Sequence, residues 1–300
     1  MMDSPRLTLR SDDLIGVVLP AEGAVLSSLT WRGVSLLART PWAESPRDIG
    51  RAATSEDEWV SRWRGGWQLC APSTGQPSAA APWFHGEASL TPWQVTELGP
   101  TRVRLAWHSA DSAIVIDRSW ELIDGCAVEA TTTVTNGGAA SRPVQLAEHL
   151  ILGSAFVTSA LESGEGVSLT LPPATFSALD YAGLPTTATP HRDETWQHLT
   201  RDTPAVVSAL VDPQVCSVSA HSPELTATIT WSGLDHALLW AELGASVDPP
   251  WNGEVMALGI EPTTTPHGAG IGGGGGIDLG PGQTLSTTTR LLCTPAEGRP

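Results

Sequence analysis

Short alternating segments closed by turn residues recur along this chain, and this punctuation limits what it can fold into. In "CAVEATTTVTNGG", residues 126–138, Cys126, Val128, Ala130 and Val134 share one face. Glu129, Thr131 and Thr133 share the other, as a half-buried strand requires. Asn136-Gly137-Gly138 then supplies a turn. "ELTATITWSG" repeats the pattern, with Leu225, Ala227, Ile229 and Trp231 set against Thr226, Thr228 and Thr230. Further strands are predicted at 14–19, 25–31, 103–108, 113–122, 144–152, 167–171, 205–210, 237–242, 255–261 and 284–292. Helical periodicity is nearly absent. Many strands at short spacing indicate a sandwich or a barrel. No break in composition and no internal repeat divides the chain. The expectation is all-β: one large antiparallel β-sandwich domain over residues 1–300.

Charge narrows the function. The net charge is -16, and all 16 basic residues are arginine. Nucleic acid and anionic membranes need dense basic patches, so neither is an expected partner. Without lysine, a Schiff base, a pyridoxal-phosphate anchor and a P-loop are excluded. The glycine run "GAGIGGGGGIDLGPGQ" is therefore expected to be a flap or linker, not a phosphate cradle. Cys70, Cys126, Cys216 and Cys293 are widely spaced and read as buried thiols in a reducing compartment. The first residues hold no signal-peptide core, and no apolar run is long enough to span a bilayer. A cytoplasmic protein is expected.

Residues 41–81 form a long stretch read as mostly structureless, and such loops usually carry function. Its end overlaps "RWRGGWQLCAPSTGQPSAAAPWFHGEASLTPW", which gathers Trp63, Trp67, Trp83 and Trp93 with Arg64 and His85. Indole faces suit the apolar C–H face of a pyranose, while polar groups take its hydroxyls. Gly86 after His85 allows close backbone approach. His85 and Glu87 stand two apart, but no third metal ligand follows at suitable spacing, so no metal site is expected.

Two strands offer acid–base groups. In "VQLAEHLILG", Glu148 and His149 interrupt an apolar run and must point to opposite faces. A mid-strand titratable group costs free energy unless it is paired or functional. His149 is expected to be the inward, working residue; a one-residue slip would turn Glu148 inward instead. In "VMALGIEPTTTPHG", Val255, Ala257, Gly259 and Glu261 share a face, and Glu261 is read as the strand's last residue before Pro262. Apolar neighbours would raise its pKa toward use as a base.

With these segments in view, the chain resembles the aldose 1-epimerase (galactose mutarotase-like) family over nearly its whole length. The opening "DDLIGVVLPAEGAVLSSLTWRGVSLLARTPW", the "RGGWQLCAPSTGQ…HGEASLTPW" segment and "VQLAEHLILG" each have a counterpart there. The closing "LLWAELGASVDPPWNGEVMALGIEP…IDLGPGQTLSTTTRL" is the most specific part. The resemblance implies a galactose mutarotase-like supersandwich with sugar bound in a concave cleft, and no cofactor. It implies Glu261 as general base toward the anomeric hydroxyl and His149 as general acid toward the ring oxygen. It assigns His85 and Arg64 to sugar hydroxyls and Trp240 to the cleft wall. The two catalytic groups are expected to face each other across a gap one pyranose wide. The Arg-Gly-Gly pattern is similar to the hexose-6-phosphate epimerase branch, for which Arg47, Arg51, Arg62 and Arg64 are the nearby cations. Glu87-Ala88-Ser89 departs from the aromatic and arginine that many relatives carry after His-Gly. A non-catalytic carbohydrate-binding protein on the same scaffold is the alternative.

Overall fold

The computed structural model describes residues 6–45, 49–191 and 193–296. Arg47 lies outside the described residues. In chain order the strands are β1 (Leu7–Arg10), β2 (Leu14–Leu19), β3 (Val25–Trp31), β4 (Val34–Ser35), β5 (Trp67–Cys70), β6 (Gln94–Leu98) and β7 (Arg102–His108). Next come β8 (Ile114–Ile123), β9 (Ala127–Asn136), β10 (Arg142–Val144), β11 (Ala147–Gly153), β12 (Ser168–Thr170), β13 (Thr175–Ala178) and β14 (Val206–Val211). The series closes with β15 (Ser217–His221), β16 (Leu225–Ser232), β17 (His236–Leu243), β18 (Met256–Thr263), β19 (Ile277–Leu279) and β20 (Thr284–Pro295). Helices α1 (Glu56–Arg62), α2 (Ser154–Ser163) and α3 (Asp193–Trp196) lie between them.

Two large antiparallel sheets make the sandwich. One runs β1-β2-β3-β5-β11-β18-β17-β14-β13, with β4 on β3. The other runs β12-β15-β16-β20-β9-β8-β7-β6. The alternation seen in the sequence sets their inner faces. Val128, Ala130 and Val134 of β9 and Ala227, Ile229 and Trp231 of β16 all enter the core between the sheets. Threonines take the outer face: Thr131, Thr133 and Thr135 stand opposite Thr288, Ser286 and Thr284 of β20. Such hydroxyl-bearing cross-strand pairs suit a half-exposed pleated surface.

Four features that bear on the site differ from the sequence reading. The strand expected at 144–152 is two, β10 and β11, because Gln145 leaves the ladder to donate toward Gly274 and accept from Thr74. The stretch 41–81 is not structureless: it holds α1 and β5. Ser55 caps α1, its side chain accepting from the Glu58 amide, and three acidic residues occupy the first turn. The strand carrying Glu261 also does not end there. It runs on through Pro262 to Thr263, paired with Ala237 and His236 of β17. Finally, the glycine-rich run is not a free flap. The Gly268 carbonyl accepts from the Gln76 amide and its own amide donates to Gly183, joining two loops beside the site described next.

The larger sheet is covered on both faces. Beyond its sandwich side, a second apolar cluster gathers Trp59, Val60, Trp63, Phe84, Ile151 and Ala257, with Trp42, Trp240 and Trp251 packed against it. Every residue of β11 is consequently buried, which is why its sequence reads as a nearly continuous apolar run.

Candidate active site

Strand alternation sorts β11 cleanly. Leu150 and Leu152 enter the sandwich core, while Ile151 joins the second cluster. Glu148 points into the sandwich. Its carboxylate accepts two hydrogen bonds from the Arg118 guanidinium at 2.8 and 2.7 Å and one from the Trp67 indole at 2.7 Å. His149 therefore points the other way, into a hollow of about 120 Å³ on the outer side of this sheet. The same hollow is lined by His85, Glu261, Trp59, Trp63, Trp240 and Trp251, among others.

The register brings His149 and Glu261 together. Ala147 pairs with Thr263 and Ile151 with Gly259, so His149 and Glu261 are the midpoints of two equal spans on neighbouring strands. Cross-strand neighbours on one face have Cβ atoms about 4.5–5.5 Å apart. The two groups thus lie on one face of adjacent strands, on the floor of the hollow. Gly259, on the same face, makes room for the acid: a Cβ there would meet the Glu261 Oε1 at 2.6 Å.

Indoles make the walls. Trp59 and Trp63 lie one turn apart on α1 and just past it, stacked with ring centroids 5.9 Å apart. Both meet His149 edge-on, at 5.3 and 5.6 Å. Trp240 of β17 lies 6.0 Å from Trp63 and 6.1 Å from Trp251. Tyr181 closes this side, donating to Glu242 at 3.1 Å.

His85 sits 5.5 Å from His149, ring to ring. Its Nδ1 accepts from the Gly75 amide at 3.0 Å, so this nitrogen is unprotonated and Nε2 carries the ring proton. The residue holds a left-handed backbone, φ 55°, before Gly86 at φ 78°. Gly86 does allow a close approach, but to the chain itself: a Cβ would meet the Ala71 carbonyl oxygen at 2.2 Å. Gly65 and Gly66 act likewise, packing against the carbonyls of Ala38 and Leu26.

Burial shifts the titratable groups toward neutrality. It pushes the Glu261 carboxyl up to about 8 and pulls the His149 imidazole down to about 4. His85 is held well below the ordinary histidine value by burial and by His149. At the mouth, burial and then Asp57 raise Glu56. The pair His149–Glu261 can take a proton from one ligand atom while giving one to another a short distance away.

The structure gathers His85, His149, Trp240 and Glu261 in one hollow, but not Arg64. The Arg64 guanidinium instead grips Glu22, through Nε at 2.5 Å and Nη2 at 3.0 Å, and donates to the Ala43 carbonyl. Among the described residues, no arginine lines the hollow. Arg51 and Arg62 both reach Glu58. Of the four tryptophans in the quoted loop, only Trp63 is a wall. Trp67 packs edge-on against Trp120, Trp93 lies beside Trp107, and Trp83 lines a different cavity. His85 and Glu87 also diverge into separate cavities. No group of three His, Cys, Asp or Glu side chains gathers as a metal site among the described residues.

Trp59 and Glu56 ride on α1, a helix that a reading by strand alternation does not include. "SEDEWVSRW" nevertheless holds the signal: a Ser cap, Glu at the third helical position and tryptophans four apart. Trp251 and Tyr181 sit in loops with no such local pattern.

No protein-family model matches the chain, and no curated protein matches it. Solved structures do. The Slr1438 protein of Synechocystis sp. PCC 6803 superposes with a TM-score of 0.75 at 17% identity, covering 97% of this chain and 96% of that one. A galactose mutarotase-like protein from Lactobacillus casei ATCC 334 gives 0.68 at 14%, covering 97% and 100%. A galactose mutarotase related enzyme from Lactobacillus acidophilus gives 0.69 at 11%, covering 97% of each. At these identities the likeness establishes the fold: an all-β antiparallel sandwich of the galactose mutarotase-like kind. No helix among the described residues is long and apolar enough to cross a membrane.

Proposed function

We propose that the chain is an aldose 1-epimerase-like isomerase that interconverts the α and β anomers of an aldose through Glu261 and His149. The observation that carries this reading is their position side by side on the floor of an indole-walled hollow. In a pyranose, O1 and O5 are bonded to the same carbon. A base for one and an acid for the other must therefore be close neighbours.

Glu261 takes the proton of the anomeric hydroxyl and His149 protonates the ring oxygen. The C1–O5 bond breaks, an aldehyde forms, and rotation about C1–C2 precedes reclosure on the other face. Closure returns both protons. At neutral pH these values place one proton on Glu261 beside a neutral His149. Sugar hydroxyls donating to the carboxylate, and the carboxylate lying beside the imidazolium, favour the charged forms. Binding thus moves the proton from Glu261 to His149 with no net uptake. The Nε2–H of His85 is available to a sugar hydroxyl, and Trp240 and Trp63 offer faces to the ring.

An unphosphorylated aldose suits the hollow better than a phosphorylated one. The carboxyls of Glu56 and Glu261 line it, and the Arg64 guanidinium is held by Glu22. Four free cysteines support a reducing, cytoplasmic setting.

NMR exchange between the anomers of glucose and galactose, with their 6-phosphates as further arms, tests the assignment. Glu261→Gln should lose about 10²–10⁴-fold in exchange rate while still binding sugar. Unchanged exchange would remove Glu261 from the chemistry. Binding without exchange in the native protein would make it a carbohydrate-binding protein on this scaffold.

A further inference from the structure

A second cavity, larger than the hollow, lies behind the loop that carries His85. It encloses about 490 Å³, within the usual range for small-molecule sites. The two cavities share a wall. Phe84 and His85 face the hollow, while Trp83, Gly86 and Glu87 face the second cavity. Ser73 and Gly75 are divided the same way.

Ser73 points to a ligand. It is 1% exposed and lines the cavity, and its hydroxyl has no hydrogen-bond partner. An unpaired buried hydroxyl is unfavourable unless something arrives to satisfy it. Trp83 presents a half-buried indole to the same space. The Glu87 carboxylate accepts from the Ala110 amide at 3.3 Å and keeps further acceptor capacity; burial raises its pKa above the usual carboxylate value. At the rim, Arg142 is neutralised by Asp111 at 2.7 Å.

We propose that this second cavity binds a saccharide unit, its C–H face against Trp83 and its hydroxyls on Ser73, Glu87 and the Asp111–Arg142 pair. An aromatic face beside convergent acceptors and one hydroxyl suits a ring that is flat and apolar on one side and hydroxylated at its edge. An anion is disfavoured, because two carboxylates stand against a single, already paired guanidinium. The inference does not rest on the isomerase reading, since none of these residues takes part in it.

Indole Nε1–H resonances of the full chain report the two cavities separately. Trp83→Phe and Trp240→Phe identify the two signals, and the native protein is then titrated with glucose, galactose, maltose, lactose and inorganic phosphate at millimolar concentrations. The Trp83 signal should shift saturably with at least one sugar and not with phosphate. Ser73→Ala removes no existing hydrogen bond and should fold, yet weaken this binding about tenfold. The proposal is overturned if Trp83 stays still for every sugar, whether or not Trp240 titrates. It is also overturned if phosphate alone moves Trp83, or if Ser73→Ala binds as tightly as the native chain. A still Trp240 beside a shifting Trp83 would count against the hollow alone.

Discussion

Arg118 holds Glu148 in a two-pronged ion pair sealed between the sheets, with side chains 0% and 1% exposed. The guanidinium also donates to Thr132 and lies 4.3 Å from the centre of the Trp120 ring. This pair fixes the register of β11, because a one-residue slip would drive His149 into the sandwich and pull Glu148 out. Removing one partner should therefore be costly. Glu148→Ala or Arg118→Ala is expected to destabilise by about 3–5 kcal/mol in denaturant titrations. The double variant Glu148→Leu/Arg118→Met should recover most of that, since no charge is left buried alone.

The rate of anomer exchange should depend on pH through the pair as a whole. In the proposed mechanism the working state has one proton shared between His149 and Glu261. A second proton enters as pH falls through about 4, and the last leaves as pH rises through about 8. A profile of kcat/KM should thus be flat between these limits and fall on both sides. A sharp optimum confined near pH 6.5 would contradict this sharing.

Glu261 should also mark the stability curve. Its carboxyl stays protonated in the folded chain up to about pH 8 but ionises near 4.5 when unfolded. Its stabilising contribution is present in full below 4.5 and is lost as pH rises toward 8. Each pKa unit corresponds to 1.36 kcal/mol, so the loss approaches about 5 kcal/mol. Glu261→Gln should flatten this slope and raise Tm at pH 8 relative to the native protein, as followed by thermal melts across pH. Equal slopes for both proteins would show that the carboxyl is not held protonated.

Arg64 should prove structural. Glu22 is nearly buried, and Arg64 is its charged partner. Arg64→Ala is expected to lower stability by about 3 kcal/mol, with KM for sugar little changed. The double variant Glu22→Gln/Arg64→Met should restore much of the stability. A large rise in KM with unchanged Tm would return Arg64 to the substrate.

The sheets were legible because period-two alternation is local: β9, β16 and β20 follow directly from which residues face the core. The faces of β11 and β18 were legible for the same reason, and with them the inward His149 and Glu261. Pairing between distant segments was not. Nothing in either strand's sequence says that β11 and β18 are neighbours. The pairing of Arg64 was not legible because its partner, Glu22, lies in a distant turn. Trp63 and Trp240 were legible as walls, whereas Trp59 of α1 and Trp251 in its loop join them only through the fold.

β11 has an interior on each side, and the apolar clusters on its two sides share no residue. Volume can be traded among the aliphatic side chains on one side without reshaping the ground on which His149 and Glu261 stand. Such insulation leaves the two fillings open to repacking one at a time. For an engineer, it means that this chain can be hardened from within, one sheet away from its chemistry.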